Sequence, residues 1–92
     1  RSVPTFCGGL LETTIGRAAG LALCSLPGFT LPADLSASSR YYIEDIAEPA
    51  FVLGPDSTIA VPSQPGLGVH VDPWRLDRLT VARESFGAGG VA

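Results

Sequence analysis

Residues 3–17 read "VPTFCGGLLETTIGR". The residues up to Cys7 predict a short strand over 3–7, the two glycines stop it, and a helical pattern starts at once. Leu11, Ile15, Ala18, Ala19, Ala22 and Leu26 recur at the spacing of one helix face, which predicts a helix over residues 12–26, stopped by Pro27-Gly28. Leu21 and Leu23 spoil the polar face, so this helix is expected to be covered on more than one side. Gly16 and Gly20 lie one turn apart and cost about 1 kcal/mol each relative to alanine, which points to a neighbouring backbone passing close by. Residues 29–31 predict a second short strand, closed by Pro32. A strand, a helix and a strand in this span make a βαβ unit, whose strands run parallel and whose outer edges need partners from elsewhere.

After Asp34 the character changes. "SASSRYYIEDIAEP" is polar with embedded aromatics and reads as a loop with a helical turn, in which Arg40 and Glu44 could pair across one turn. "FVLGPDSTIAV" predicts a hairpin about a Gly-Pro-Asp turn, and "VHV" a short strand. In "DPWRLDRL", Asp72 is placed to cap a helix with Pro73 at its first position, and Trp74 is expected to be a packing anchor. The chain thus divides into residues 1–34, an α/β slice; 35–82, a small α+β segment; and 83–92, a flexible tail.

The composition is unusual for 92 residues. It is 46% hydrophobic and only 16% charged, where about 25% charged is usual. A small domain has much surface to cover, so some apolar faces are expected to meet other protein. There is no methionine, which suggests a processed piece or an excerpt, and all six basic residues are arginines, so a lysine base or Schiff base is closed to this chain alone. The net charge of −3 and the scattered arginines argue against a nucleic-acid partner. "GRAAGLALCSLPGF" mimics a lipoprotein signal, but Leu23 precedes the cysteine where a small residue is wanted, and the apolar run is too short for a membrane span. Cys7 and Cys24 sit in apolar runs and read as buried free thiols, which fits a cytoplasmic setting; a disulfide between them, in a small secreted domain, is the competing reading.

The chemistry points to the first junction. In parallel α/β folds, ligands sit beyond the carboxyl ends of the strands. There, Gly8 and Gly9 would admit a ligand close to the backbone, and the following helix would aim its N–H groups and positive end at a substrate carboxylate. Glu12, expected in the first turn, could accept a hydrogen bond from substrate or merely stabilise the helix start. A tight turn with no ligand is the bland alternative. His70 reads as a solvated strand residue rather than a catalyst.

Four strings carry a resemblance: G-G-x-L-E-x-x-x-G-R, L-P-x-F-T-L-P-x-D, R-Y-x-x-E-D-I-x-E-P and P-G-L-G-V-x-V-D, in that order from Pro4 to about Leu79. Together they resemble the C-terminal part of the enolase superfamily, within its muconate-lactonising subgroup the o-succinylbenzoate synthase / N-acylamino acid racemase group. The resemblance implies an α/β fold: the last βαβ stretch of a modified TIM barrel over residues 1–34, followed by a tail packing on an α+β capping domain over 35–82. It implies abstraction of a proton next to a carboxylate, with an enediolate stabilised by Mg²⁺ or another divalent cation and with lysines acting as acid and base on strands outside these residues. It places Gly8, Gly9, Leu10 and Glu12 beside a small carboxylate substrate and Asp34 at the pocket rim, with no catalytic base and no metal ligand in this chain. Glu44, Asp45 and Glu48 would then be structural. The implied partners are the rest of the barrel and cap, in a homo-oligomer with no membrane or nucleic-acid contact. The alternatives are a muconate or dipeptide cycloisomerase or epimerase on the same scaffold, and a non-catalytic module that oligomerises or docks to a partner chain.

Overall fold

The computed structural model describes residues 3–87. Its elements are helix α1 (Thr14–Cys24), a 3₁₀ turn (Ser38–Arg40), strand β1 (Ala47–Glu48), strand β2 (His70–Val71) and helix α2 (Pro73–Leu79). The residues on either side of α1 are extended and lie side by side. Thr5 N–H donates to Gly28 O at 3.2 Å, Leu31 N–H to Thr5 O at 3.2 Å and Asp34 N–H to Cys7 O at 2.9 Å. A parallel bridge joins Gly8 to Asp34. The expected strand–helix–strand unit is present in this form, with parallel direction, but its ladder is a few bonds long. Neither predicted strand is regular, because each has only the other to pair with.

Helix α1 is shorter than predicted at both ends. Thr13 is extended (φ −73°, ψ 179°) and forms the N-cap, so Glu12 lies before the helix and not in its first turn. At the other end Ser25 donates its N–H to Ala22 O, and Pro27 forbids a further turn. Thr14, Arg17, Ala18 and Leu21 are the buried residues, a single face at helical spacing. Within the described residues the helix is therefore covered on one side, with Leu23 42% exposed on another. The two helix glycines also differ from expectation. A Cβ on Gly16 would meet the Glu12 side chain at 2.9 Å, and one on Gly20 would meet Leu35 at 3.6 Å and Cys7 Sγ at 3.7 Å. Side chains fill these spaces, not a crossing backbone.

Ala18, Leu21 and Phe51 form the core, with Leu35, Ile59 and Val69 packed on it. It is small, and the radius of gyration is 15.7 Å, against about 12 Å for a closed globule of this length. The chain is an open slab, and the apolar excess of its composition lies on its surface: Leu10, Trp74 and Val81 are 80%, 83% and 101% exposed. Trp74 is therefore no anchor among the described residues; α2 buries none of its side chains.

The second segment follows the sequence in part. Asp72 caps α2, accepting from Trp74 N–H at 3.0 Å and Arg75 N–H at 3.2 Å, with Pro73 in the first turn. The predicted strand at residues 69–71 is β2, and its partner β1 lies in a stretch that reads as loop: Ala47 pairs with Val71 and Glu48 with His70, antiparallel. The Gly54 turn closes, with Gly54 N–H on Thr58 O at 2.8 Å, but no ladder follows, because Phe51 leaves the turn for the core. Arg40 does not pair with Glu44; the chain turns after the 3₁₀ helix, and Glu44 takes Arg78 instead. Of the expected tail at 83–92, residues 88–92 lie outside the described residues.

In the Gly54 turn, the Thr58 hydroxyl donates to Asp56 Oδ1 at 2.7 Å. That bond, with backbone N–H groups adding to it, holds the Asp56 carboxyl below its usual range. A depressed carboxyl stabilises the fold above its unfolded pKa and stops doing so as pH falls through its folded value. Thr58→Val is expected to return the Asp56 titration, followed by carboxyl NMR, upward toward an ordinary aspartate; an unchanged midpoint would show that the hydroxyl is not the cause.

Candidate functional site

The bridge between Gly8 and Asp34 places the ends of the two extended segments side by side, beside the start of α1. The loop from Gly9 to Thr13 is held there by a buried cation. Arg17, 1% exposed, reaches back from the first turn of α1. Its Nη2 donates to Leu10 O at 2.8 Å and its Nη1 to Glu12 Oε1 at 3.2 Å. The other Glu12 oxygen accepts the N–H of Leu10. Arginine and glutamate thus close both polar groups of Leu10, leaving its side chain outward. Arg17 Nε has no hydrogen-bond partner.

The two glycines have separate jobs. A Cβ on Gly9 would lie 2.4 Å from Arg17 Nη1 and 3.0 Å from Asp34 O, so Gly9 makes room for the guanidinium. A Cβ on Gly8 would meet nothing within 4 Å, so only Gly8 opens onto free space.

Three residues from beyond the second extended segment fasten the same loop from outside. Ser38 Oγ donates to Glu12 O at 2.7 Å, and the Tyr42 hydroxyl donates to Leu11 O. Asp45 is the third. Its carboxylate accepts the Thr14 N–H at 3.0 Å from both oxygens and the Thr14 hydroxyl at 2.7 Å. Thr13 makes no side-chain cap of its own, so the first turn of α1 is capped from 31 residues away. The seat that the sequence reading offers to a substrate carboxylate is filled, at Thr14 N–H, by Asp45. A fixed carboxylate already answers the positive end of the helix.

Gly8, Gly9, Leu10, Glu12 and Asp34 are therefore brought to one edge of the molecule, but with divided roles. Glu12 is committed to Leu10 and Arg17, and Asp34 is exposed. The residues that sequence reasoning missed are Arg17, Ser38, Tyr42 and Asp45. Arg17 and Asp45 stand at specified positions of the quoted strings, which is the one signal that could have singled them out; Ser38 and Tyr42 have none. A cleft of about 790 Å³ adjoins the clamp, lined by Thr14, Tyr42, Asp45, Phe51, His70 and Arg75 among others. It holds none of the five expected residues; the site is an open flank, not an enclosed pocket.

The acidic residues at 44–48 do not fit a divalent cation. Glu44 faces Arg78, Glu48 Oε1 lies 2.9 Å from Arg75 Nη2, and Asp45 holds Thr14. Among the described residues no three histidine, cysteine or acidic side chains converge on one point, and no helix is long and apolar enough to cross a membrane.

No family model matches the chain. The backbone is similar to a solved enolase-superfamily protein from Listeria innocua, with a TM-score of 0.73 and 42% identity over 79% of this chain and 19% of that one. By backbone and by sequence, the chain belongs to the enolase superfamily. Within it, the chain is 50% identical over 86 residues to an N-succinylamino acid racemase of an Amycolatopsis species, covering 94% of this chain and 23% of that protein. It is 54% identical over 67 residues to the o-succinylbenzoate synthase of Bacillus subtilis, covering 73% of this chain and 18% of that protein. The chain spans less than a quarter of the length of these relatives.

Proposed function

We propose that these residues form one flank of the active site of an enzyme that abstracts the proton next to a substrate carboxylate, of the o-succinylbenzoate synthase / N-acylamino acid racemase type. Residues 1–34 would complete a modified TIM barrel, and 35–82 would pack on its capping domain. The observation that carries the reading is the Gly8–Asp34 bridge, which puts the ends of two parallel segments together in a chain 42–54% identical to such enzymes over most of its length. The chain's own part is to shape and orient. Gly8 leaves space for substrate, the clamped loop presents Leu10 outward, and Asp34 marks the rim. No lysine is present, so proton transfer falls to residues outside this stretch. A divalent cation such as Mg²⁺, which would supply charge stabilisation for the enediolate, would likewise be held elsewhere. The protein would act in the cytoplasm on a small carboxylate, as a homo-oligomer. A muconate or dipeptide cycloisomerase or epimerase would use the same intermediate.

The full-length protein should exchange the α-proton of an N-succinylamino acid in deuterium oxide, or dehydrate the cyclohexadiene precursor of o-succinylbenzoate. Turnover of neither acid, nor of a muconate or dipeptide, would overturn the proposal in favour of a docking module. The bare apolar residues Trp74, Leu79 and Val81 favour that second reading, and it predicts assembly without catalysis. The glycines give a finer test. Gly8→Ala should lower kcat/KM about tenfold while leaving stability within about 0.5 kcal/mol. Gly9→Ala should instead cost about 2 kcal/mol of stability, because its methyl group displaces Arg17. Equal effects at both positions would remove Gly8 from the substrate's path.

A further inference from the structure

We propose that Cys7 and Cys24 are a paired dithiol that oxidises reversibly to an intramolecular disulfide, joining the first extended segment to α1. Both thiols are free and half-buried, so a small oxidant can reach them. Cys7 Sγ sits 3.7 Å from the place a Cβ on Gly20 would occupy, on the face of α1 turned to that segment. Cys24 lies one helical turn beyond Gly20 on the same face. Side chains in an α-helix lean toward its N-terminus, so the Cys24 sulfur comes back over Gly20 and toward Cys7. Gly20 has no side chain to stand between the two sulfurs. Burial pushes the Cys24 thiol up, and Cys7 beside it adds in the same direction, as expected when two such groups share a site.

With hydrogen peroxide as oxidant the step balances. One thiolate attacks a peroxide oxygen, the O–O bond breaks, and a sulfenic acid and hydroxide result. The second thiolate then attacks the sulfenic sulfur and expels a second hydroxide. The two thiol protons convert both hydroxides to water, and the sulfurs are oxidised together by two electrons. The bridge would land one residue before Gly8, tying the turn to the helix beside it. This inference does not depend on the proposed enzymatic activity.

The test uses full-length protein, first reduced, then treated with stoichiometric hydrogen peroxide in buffer or in denaturant. Free thiols are blocked with N-ethylmaleimide before denaturing tryptic digestion and mass spectrometry. Trypsin cuts at Arg1, Arg17 and Arg40, which puts the two cysteines in separate peptides, 2–17 and 18–40. The expected result is a linked pair of these peptides, lighter than their sum by two hydrogens, formed at least about tenfold faster in buffer than in denaturant and released by dithiothreitol. The bridged protein should also melt at a higher temperature than the reduced one. Cys7→Ser and Cys24→Ser should each leave the other cysteine as a maleimide adduct. Two maleimide-blocked cysteines after oxidation, sulfinic acids without a link, or equal rates in buffer and denaturant would each overturn the pairing.

Discussion

Arg17→Met is expected to destabilise the protein by about 3 kcal/mol and to loosen the Gly-Gly loop at the same time. The guanidinium is 1% exposed and holds two groups at once, the Leu10 carbonyl at 2.8 Å and Glu12 at 3.2 Å. Methionine fills much of the volume but makes neither bond. Glu12 is then left with one hydrogen bond and no counter-charge. Its side chain is 31% exposed, so water offsets part of the loss and keeps the cost at the low end of what breaking a buried pair entails. Urea denaturation of the full-length protein measures the stability term. Amide exchange at Leu10 measures the loop, and it should speed up more than exchange at Leu21. Arg17→Lys keeps the charge but not the fork, and should recover less than half of the loss. A cost below about 1 kcal/mol would mean that Ser38 and Tyr42 alone hold the loop.

Asp45→Ala should cost about 2–3 kcal/mol. Its carboxylate accepts from the Thr14 N–H, the Thr14 hydroxyl and the Ile46 N–H. Thr14 is 1% exposed, so its N–H and hydroxyl cannot turn to water once the acceptor is gone. The loss is that of a cap and of a buried polar contact together. Asp45→Asn keeps an acceptor but not the charge facing the helix end, and should cost about half as much. Thr14→Val removes the hydroxyl partner, so the double variant Asp45→Ala/Thr14→Val should cost less than the sum of the two single variants. Strict additivity in thermal or urea unfolding would show that the Thr14 hydroxyl is not coupled to Asp45, and a cost below about 0.5 kcal/mol for Asp45→Ala would show that Asp45 does not cap α1.

Both residues show where a linear reading stops. "CGGLLETTIGR" contains Gly9, Glu12 and Arg17, but no periodicity says that the arginine turns back under the loop. Gly9 reads as room for a ligand when it is room for a guanidinium. Asp45 sits in an acidic run that the resemblance makes structural, but only the fold delivers it to a helix start far back in the chain. Strand β1 was illegible for a related reason. Ala47 and Glu48 have no alternation of their own, and they are a strand because β2 lies against them.

The local chemistry of the chain was sufficient for the helix following the glycines, the Asp72-Pro73 start of α2, the turn at Gly54, the parallel direction of the flanking segments and the family. Each depends on backbone preferences or on spacing within one or two turns, which a sequence carries directly. The tertiary structure alone decided which charges are buried, what caps α1 and which of the two glycines faces open space. Those outcomes depend on groups distant in sequence meeting where water is excluded, and the cost of leaving an arginine, a helix amide or a hydroxyl unpaired there selects their partners.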